Sequence, residues 1–433
     1  MRTLAATRRP ALVALLIAEA MNLLDATVVQ VAAPVVHTDL GGPVSDVQWF
    51  TAAYTLPFAV LLVLGGRLGD IVGRRRVFVT GVAAFAAVSA GCALAPSAGV
   101  LIGLRAVQGA AAAAVVPQTV GLIKAMFSGP ELPRALGWIG PVMGLAGVCG
   151  PLLGGVLTHT VSWRAAFLVN VPLAVAVLVL ARALPEDRVP AGPGLDLTGT
   201  GLLALGTGLV VHPLIGVSGV SWGSLAAGAV VLAVFVLHQR RTPKPLLEPS
   251  LFTQRAFPAA LFTSTAFFAV TGGLTTVVVL HLQLGLGRGV LASSLALAPW
   301  SLGLAVASWA AGAHLVRRYG RRMMPVGLGV LIAGVLGALV VPLPVGLAVV
   351  GVGAGLFTPA FFTLALSSLR PQETGSAAGL LNAVQQLGAT LGVAVLGRVY
   401  LDGTFELAFL AGALVIGVSA VGVWGMGSAT RRA

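Results

Sequence analysis

The chain has 433 residues, of which 57% are hydrophobic and only 9% charged, where soluble domains carry roughly a quarter charged residues. No polar stretch is long enough to fold alone, which excludes a separate soluble catalytic or binding domain. The net charge of +13 would point to nucleic acid in a soluble protein, whereas in so apolar a chain it points to loops gathered on one face of a membrane.

Apolar runs taken as ~20-residue spans predict helices over 11–36, 46–66, 77–95, 99–123, 135–158 and 164–184. Two more follow over 195–215 and 222–238, then six over 256–284, 289–315, 323–341, 344–368, 374–398 and 405–426, about fourteen crossings in all. The first run is too long for a signal-peptide core and reads as a retained helix. Of the 26 Lys and Arg residues, 22 fall in one set of alternating loops and termini, Arg164, Arg288 and Arg398 in the opposite set, and Arg105 inside a helix. Positive-inside bias then places both termini, and the 186–195 and 239–255 linkers, in the cytoplasm. Pro185 to Pro190 closes the first six helices and Gln239 to Pro245 the next two. The expected plan is a six-helix bundle over 1–188, two linker helices over 189–245 and a second six-helix bundle over 246–433.

The first helix carries Glu19, Asn22 and Asp25, a polar stripe at three-residue spacing. A carboxylate at bilayer mid-depth costs ~2.5–3.5 kcal/mol on insertion scales, so it persists where it has a partner, a proton or a transport role. Both acids are candidates for proton coupling or substrate binding. Between helices two and three lies Gly66-Arg67-Leu68-Gly69-Asp70-Ile71-Val72-Gly73-Arg74-Arg75-Arg76, in which glycines permit a tight turn and arginines fix the loop on one side. A degenerate copy, Ala313 to Arg322, follows 247 positions later (Gly320 against Gly73), the mark of a duplicated bundle with its working site between the repeats.

The fourth helix contains Arg105-Ala106-Val107-Gln108-Gly109. Arg105 needs a buried counter-charge, and its depth along the helix matches that of Asp25 to within the reach of its side chain, with Glu19 the alternative. In the fifth helix, Gly140 to Gly155 presents a face of small residues with Gly150, Pro151, Gly154 and Gly155 at its centre. Such a face packs closely on a neighbour, and Pro151 favours a kink. Asn22, Gln118, Asn382, Gln385 and Gln386 are candidate hydrogen-bonders of a central cavity, and for the glutamines and Asn382 bonding between helices is an equal alternative. Cys92 and Cys149 read as apolar packing residues, and the sequence indicates neither a disulfide nor a metal site.

These motifs resemble the major facilitator superfamily, and within it the fourteen-helix drug:proton antiporters. The resemblance rests on the 66–76 loop, on Leu24-Asp25-Ala26-Thr27-Val28-Val29 with Ala33-Pro34, and on Arg105 to Gly109. It extends to Gly150-Pro151-Leu152-Leu153-Gly154-Gly155, Trp163-Arg164 with Asn170-Val171-Pro172, and Gln385-Gln386-Leu387-Gly388. It implies a monomeric, cofactor-free exporter of amphipathic small molecules in a bacterial plasma membrane, driven by protons through alternating access. Asp25 or Glu19 would carry the proton, Arg105 would pair with it, and Gly66, Asp70, Gly73 and Arg74 would form a conformational gate. Members that export multivalent cations often carry extra acids in later helices, and this chain has none there. Proton-coupled uptake and a non-transport membrane bundle are the competing readings. An ATP-driven pump would need a Gly-Lys-Ser/Thr phosphate loop and a zinc hydrolase a His-Glu-x-x-His helix, and the chain has neither.

Overall fold

The computed structural model describes residues 2–129, 131–186, 194–215, 220–243, 245–252, 256–367 and 374–429. Arg188, Lys244, Arg255, Arg370, Arg431 and Arg432, and the expected domain boundary at 188/189, lie outside the described residues. The described chain is helical throughout, as an apolar chain must be where no water is present to satisfy backbone groups. In order the helices are α1 (Arg2–Leu40), α2 (Asp46–Val72), α3 (Arg74–Ala93), α4 (Ala98–Met126), α5 (Glu131–Gly137), α6 (Ile139–Thr160), α7 (Trp163–Leu168) and α8 (Asn170–Leu180). They continue with α9 (Leu197–Ile215), α10 (Trp222–Arg241), α11 (Ala256–Leu280), α12 (Val290–Ala310), α13 (Val316–Tyr319), α14 (Met323–Gly337), α15 (Leu343–Ser367), α16 (Thr374–Asp402) and α17 (Phe405–Ala429).

Among the described residues, 12 helical stretches are long and apolar enough to cross a membrane. The chain is a multi-pass membrane protein. The difference from the fourteen expected has two sources. The runs over 289–315 and 323–341 fall within a single 48-residue stretch, Val290–Gly337, and the last run is represented by the shorter apolar helix Phe405–Ala420.

The 66–76 segment is less of a loop than its glycines suggest. α2 continues through Gly66 and Asp70 to Val72, and the break falls at Gly73 alone, where φ is 109°. Helical backbone accepts Gly66 and Gly69, whereas the positive φ at Gly73 is open mainly to a residue without Cβ. Gly320, at φ 53°, ends α13 in the degenerate copy.

The described chain forms two compact units, one of Met1–Val210 with Trp222–Leu246 and one of Val211–Ser221 with Leu247–Ala433. In the first, α6 packs on α1, and α2 and α3 both pack on α4. A Cβ added at Gly109 would lie 2.1 Å from the Tyr54 carbonyl oxygen, and one at Gly65 would lie 2.0 Å from that of Ala113, so α2 and α4 touch backbone to backbone. The second unit repeats the scheme, with α16 on α11, and α12 and α14 both on α15.

Candidate charge-coupling site in the first unit

Asp25 on α1 and Arg105 on α4 are both fully buried, at 0% exposure. Arg105 Nη1 donates to Asp25 Oδ2 at 2.5 Å and to Gln108 Oε1 at 2.7 Å, while its Nε donates to the Phe50 carbonyl at 3.0 Å. The other carboxylate oxygen, Oδ1, accepts from Gln108 Nε2 at 2.9 Å and from Asn170 Nδ2 at 2.7 Å. Ser89 on α3 closes the ring: its Oγ accepts from Asn170 at 2.9 Å and Gln108 at 3.3 Å, and donates to the Phe167 carbonyl at 2.9 Å. The guanidinium carbon sits 4.3 Å from the centre of the Tyr54 ring, and the Tyr54 hydroxyl donates to Asn22 Oδ1.

Local sequence accounts for this convergence. Arg105 and Gln108 are three apart on α4 and share one face, and Gly109 beside them lets α4 approach α2 closely enough for Arg105 to reach Phe50. Asn170 opens α8 just after the break at Val169, which aims its amide into the bundle. The result is a buried ion pair whose acid is bonded at both oxygens, which offsets the desolvation of the carboxylate, while Arg105 Nη2 and Asn170 Oδ1 are buried with no hydrogen-bond partner among the described residues. Glu19 lies on the same helix at 7% exposure, and among the described residues no cation pairs with it. The sequence does not single out Gln108 and Asn170 as partners of Asp25, Ser89 as the bridge between them or Tyr54 as the ring under Arg105. The signal for Gln108 was its three-residue offset from Arg105; Ser89 left none.

The remaining candidates are distributed as follows. Arg74 spans the break at Gly73 to bond Asp70 Oδ1 through Nη2 at 2.9 Å and Nε at 3.1 Å. A Cβ at Gly121 would lie 2.8 Å from Arg74 Cδ, so that glycine makes room for the arginine. Gln118 is wedged between helices rather than facing open space: it donates to the carbonyls of Gly65 at 2.8 Å and Ala114 at 3.1 Å, and a Cβ at Gly69 would collide with it. Gly150, Pro151, Gly154 and Gly155 are buried in α6, where Cβ atoms at Gly150 and Gly154 would meet Thr27 Oγ1 at 1.9 Å and Val28 O at 2.9 Å. Their smooth face is therefore seated on α1 directly beyond Asp25. Asn382, Gln385 and Gln386 are half-buried on α16 in the second unit. Trp163 Nε1 and Arg164 Nη1 both donate to Asp39 Oδ2, at 2.8 and 2.9 Å, tying the start of α7 to the end of α1. Among the described residues no group of three or more His, Cys, Asp or Glu could hold a metal ion.

A helical membrane bundle with a repeated packing scheme and a charge pair buried within it is an architecture of membrane transporters. Residues 15–393 match the Major Facilitator Superfamily, and the chain belongs to that family. It is a transporter and not an enzyme. It is 42% identical over 420 residues to the probable actinorhodin transporter of Streptomyces coelicolor, covering 91% of this chain and 73% of that protein. It is 35% identical over 415 residues to the puromycin resistance protein pur8 of Streptomyces alboniger, covering 91% and 82%, and 34% identical over 428 residues to the cephamycin export protein CmcT of Amycolatopsis lactamdurans, covering 92% and 86%. Among solved structures, a peptide transporter in complex with sulfate shares the fold at a TM-score of 0.71 and 15% identity, covering 98% of this chain and 94% of the other.

Proposed function

We propose that this protein is a proton-coupled antiporter that exports amphipathic small molecules, drugs or an antibiotic, from the cytoplasm by alternating access. The observation that carries this reading is the sealed Asp25–Arg105 network, a titratable group held where protonation must rearrange several helices at once. The export direction is supported by the relatives named for export and resistance and by the Gly-Pro face of α6. Protonation of Asp25 from outside removes its charge, frees Arg105 and favours release of substrate; deprotonation to the cytoplasm restores the pair. Glu19, buried without a cation, is the second proton or substrate group, with Asn22, Asn382, Gln385 and Gln386 as hydrogen-bonders. The membrane potential adds ~2.3 kcal/mol per 100 mV for each charge moved inward. The experiment is to add compounds, puromycin first, to energised inverted vesicles: proton release on addition is expected, and its absence across a broad drug panel would sink the antiport reading.

The same reading holds the chain to be a monomer in a bacterial plasma membrane with fourteen crossings, six plus two plus six, and both termini cytoplasmic. A continuous helix of 48 residues would reach ~72 Å, more than twice the ~30 Å hydrocarbon core, so Val290–Gly337 fits two crossings with the turn at Gly320. α12 and α14 pack on α15 as α2 and α3 pack on α4, the pattern of separate crossings. α17, 25 residues long, completes the count.

The Asp70–Arg74 bridge is proposed as the brace of the gate. Such a brace must break in each cycle, which suits a contribution of about 1–3 kcal/mol to the conformational equilibrium. Asp70→Asn is expected to shift the population toward inward-open and to slow turnover while insertion and substrate binding are retained. Cysteine accessibility from each face, measured beside the transport rate, checks this. If neither changes, Asp70 is a topological anchor.

A further inference from the structure

The α9–α10 hairpin is thinly packed. Only 11% of the most apolar stretch of α10 is buried, and Trp222, Val230, Val234 and Leu237 lie exposed along it. Apolar contact with neighbours does little to hold such a helix in a bilayer, because lipid tails are as apolar as its own side chains. Glycines close the hairpin on itself: Cβ atoms at Gly206 and Gly228 would each come within 2.8 Å of the opposite helix, at Leu232 and Val210. They do not attach it to anything else.

At the far end of α9, Arg398 Nη1 donates to the Pro213 carbonyl at 3.3 Å, and a denser set of bonds lies at the neck. Arg67 lies on α2, three residues before Asp70. Its Nη1 donates to the carbonyl of Gly194 at 3.4 Å, and its Nη2 donates to that of Leu246 at 3.3 Å and to that of Pro245. Gly194 precedes α9, while Pro245 and Leu246 follow α10, so one guanidinium grips the entry and the exit of the hairpin together. Asp196 adds a second tie between the same two strands. Its Oδ2 accepts from Gln239 Nε2 at 2.8 Å, and His238 Nε2 lies 2.9 Å from Oδ1, which also accepts from the backbone N–H of Gly199 at 2.7 Å. Burial alone would raise the Asp196 carboxyl, but the bonds from His238, Gly199 and Gln239 bring it below the ordinary value, which keeps the acid charged at the start of α9. The planar, multi-donor fork of arginine suits three carbonyls on two strands, a set that a point-charge ammonium cannot span.

We propose that Arg67 and Asp196 form a clasp that makes the neck of the α9–α10 hairpin part of the first unit. In this clasp Arg67 is a positioning residue that links the Asp70–Arg74 gate segment to the hairpin. The gate segment and the hairpin neck then move as one piece, whatever the protein transports.

The test uses the full chain in lipid nanodiscs with Cys149 replaced by Ala. Nitroxide labels are placed at the exposed positions Val72 and Arg241, at the end of α2 and the end of α10. The parent protein should give one narrow distance distribution. Arg67→Gln should lose the single peak, and Asp196→Asn should broaden it. Should Arg67→Gln fail to insert, Arg67→Lys carries the same test, since it keeps the charge and loses the fork. Retention of the narrow peak in the Arg67 and Asp196 variants would overturn the clasp. Broadening in Asp196→Asn alone would remove Arg67 from it. Ethidium export by the same variants supplies the second readout: a fall in kcat of about tenfold with KM unchanged is expected of a coupling residue, and an unchanged kcat would overturn the positioning role. Failure of the parent to export ethidium would count against the exporter reading and leave the distance result standing.

Discussion

Asp25→Asn is expected to reduce proton-driven export to background while the protein still reaches the membrane. Asn preserves the size of the side chain and one acceptor oxygen, so Gln108 or Asn170 can still bond it, but it cannot take up and release a proton near neutral pH. It also removes the only anion that Arg105 contacts among the described residues, and breaking a buried pair by deleting one partner costs about 3–5 kcal/mol. Two effects thus coincide, and they are separable. Accumulation in vesicles under an imposed pH gradient reports the coupling, and thermal unfolding of the purified variant reports the pair. Wild-type accumulation by Asp25→Asn would transfer the proton-carrying role to Glu19, and Glu19→Gln would then be the variant that stops transport.

Arg105→Ala is expected to cost the fold a comparable amount. The arginine is bonded to Asp25, Gln108 and the Phe50 carbonyl and stacks over Tyr54, so its removal opens a void among three helices and leaves the carboxylate with two amide donors. A loss of about 3–5 kcal/mol is predicted, read as a lowered unfolding temperature in detergent. The double variant Asp25→Asn with Arg105→Ala should lose markedly less than the sum of the single variants, because neither leaves an unpaired charge behind, and transport should stay absent. Additive losses would mean that the two groups act independently despite their 2.5 Å contact.

The sequence made one half of this site legible and hid the other. Buried charge is so scarce in the chain that depth leaves Arg105 two candidate partners, Asp25 and Glu19, and the structure pairs it with Asp25. Gln108 and Asn170 could not be assigned to Asp25, because helical periodicity gives the face a residue occupies and not the neighbour it meets. Ser89 is a small hydroxyl in an apolar run and carries no periodic signal. Gln118 shows the converse. A buried amide reads the same whether it lines a cavity or bonds a neighbouring backbone, and here the close approach at Gly65 and Gly69 decides for the backbone. The helix limits were less legible: α1 spans Arg2–Leu40 rather than 11–36, the run over 164–184 breaks at Val169, and α2 runs on to Val72 because its end is decided by a backbone angle at one of several glycines, Gly73.

The seat of α1 on α6 has a mechanical consequence. On one side α1 is held by directional bonds through Asp25. On the other, Thr27 and Val28 rest in notches that Gly150 and Gly154 leave empty of side chain. A glycine track has no rotamers to repack, so rotation of α1 against it asks no side chain of α6 to move aside, whereas an axial shift must lift Thr27 and Val28 out of their notches. The bearing is smooth and the lock is chemical. In the cycle proposed above, discharge of Asp25 would release the lock and leave the bearing intact, and α1 would turn without leaving its bundle.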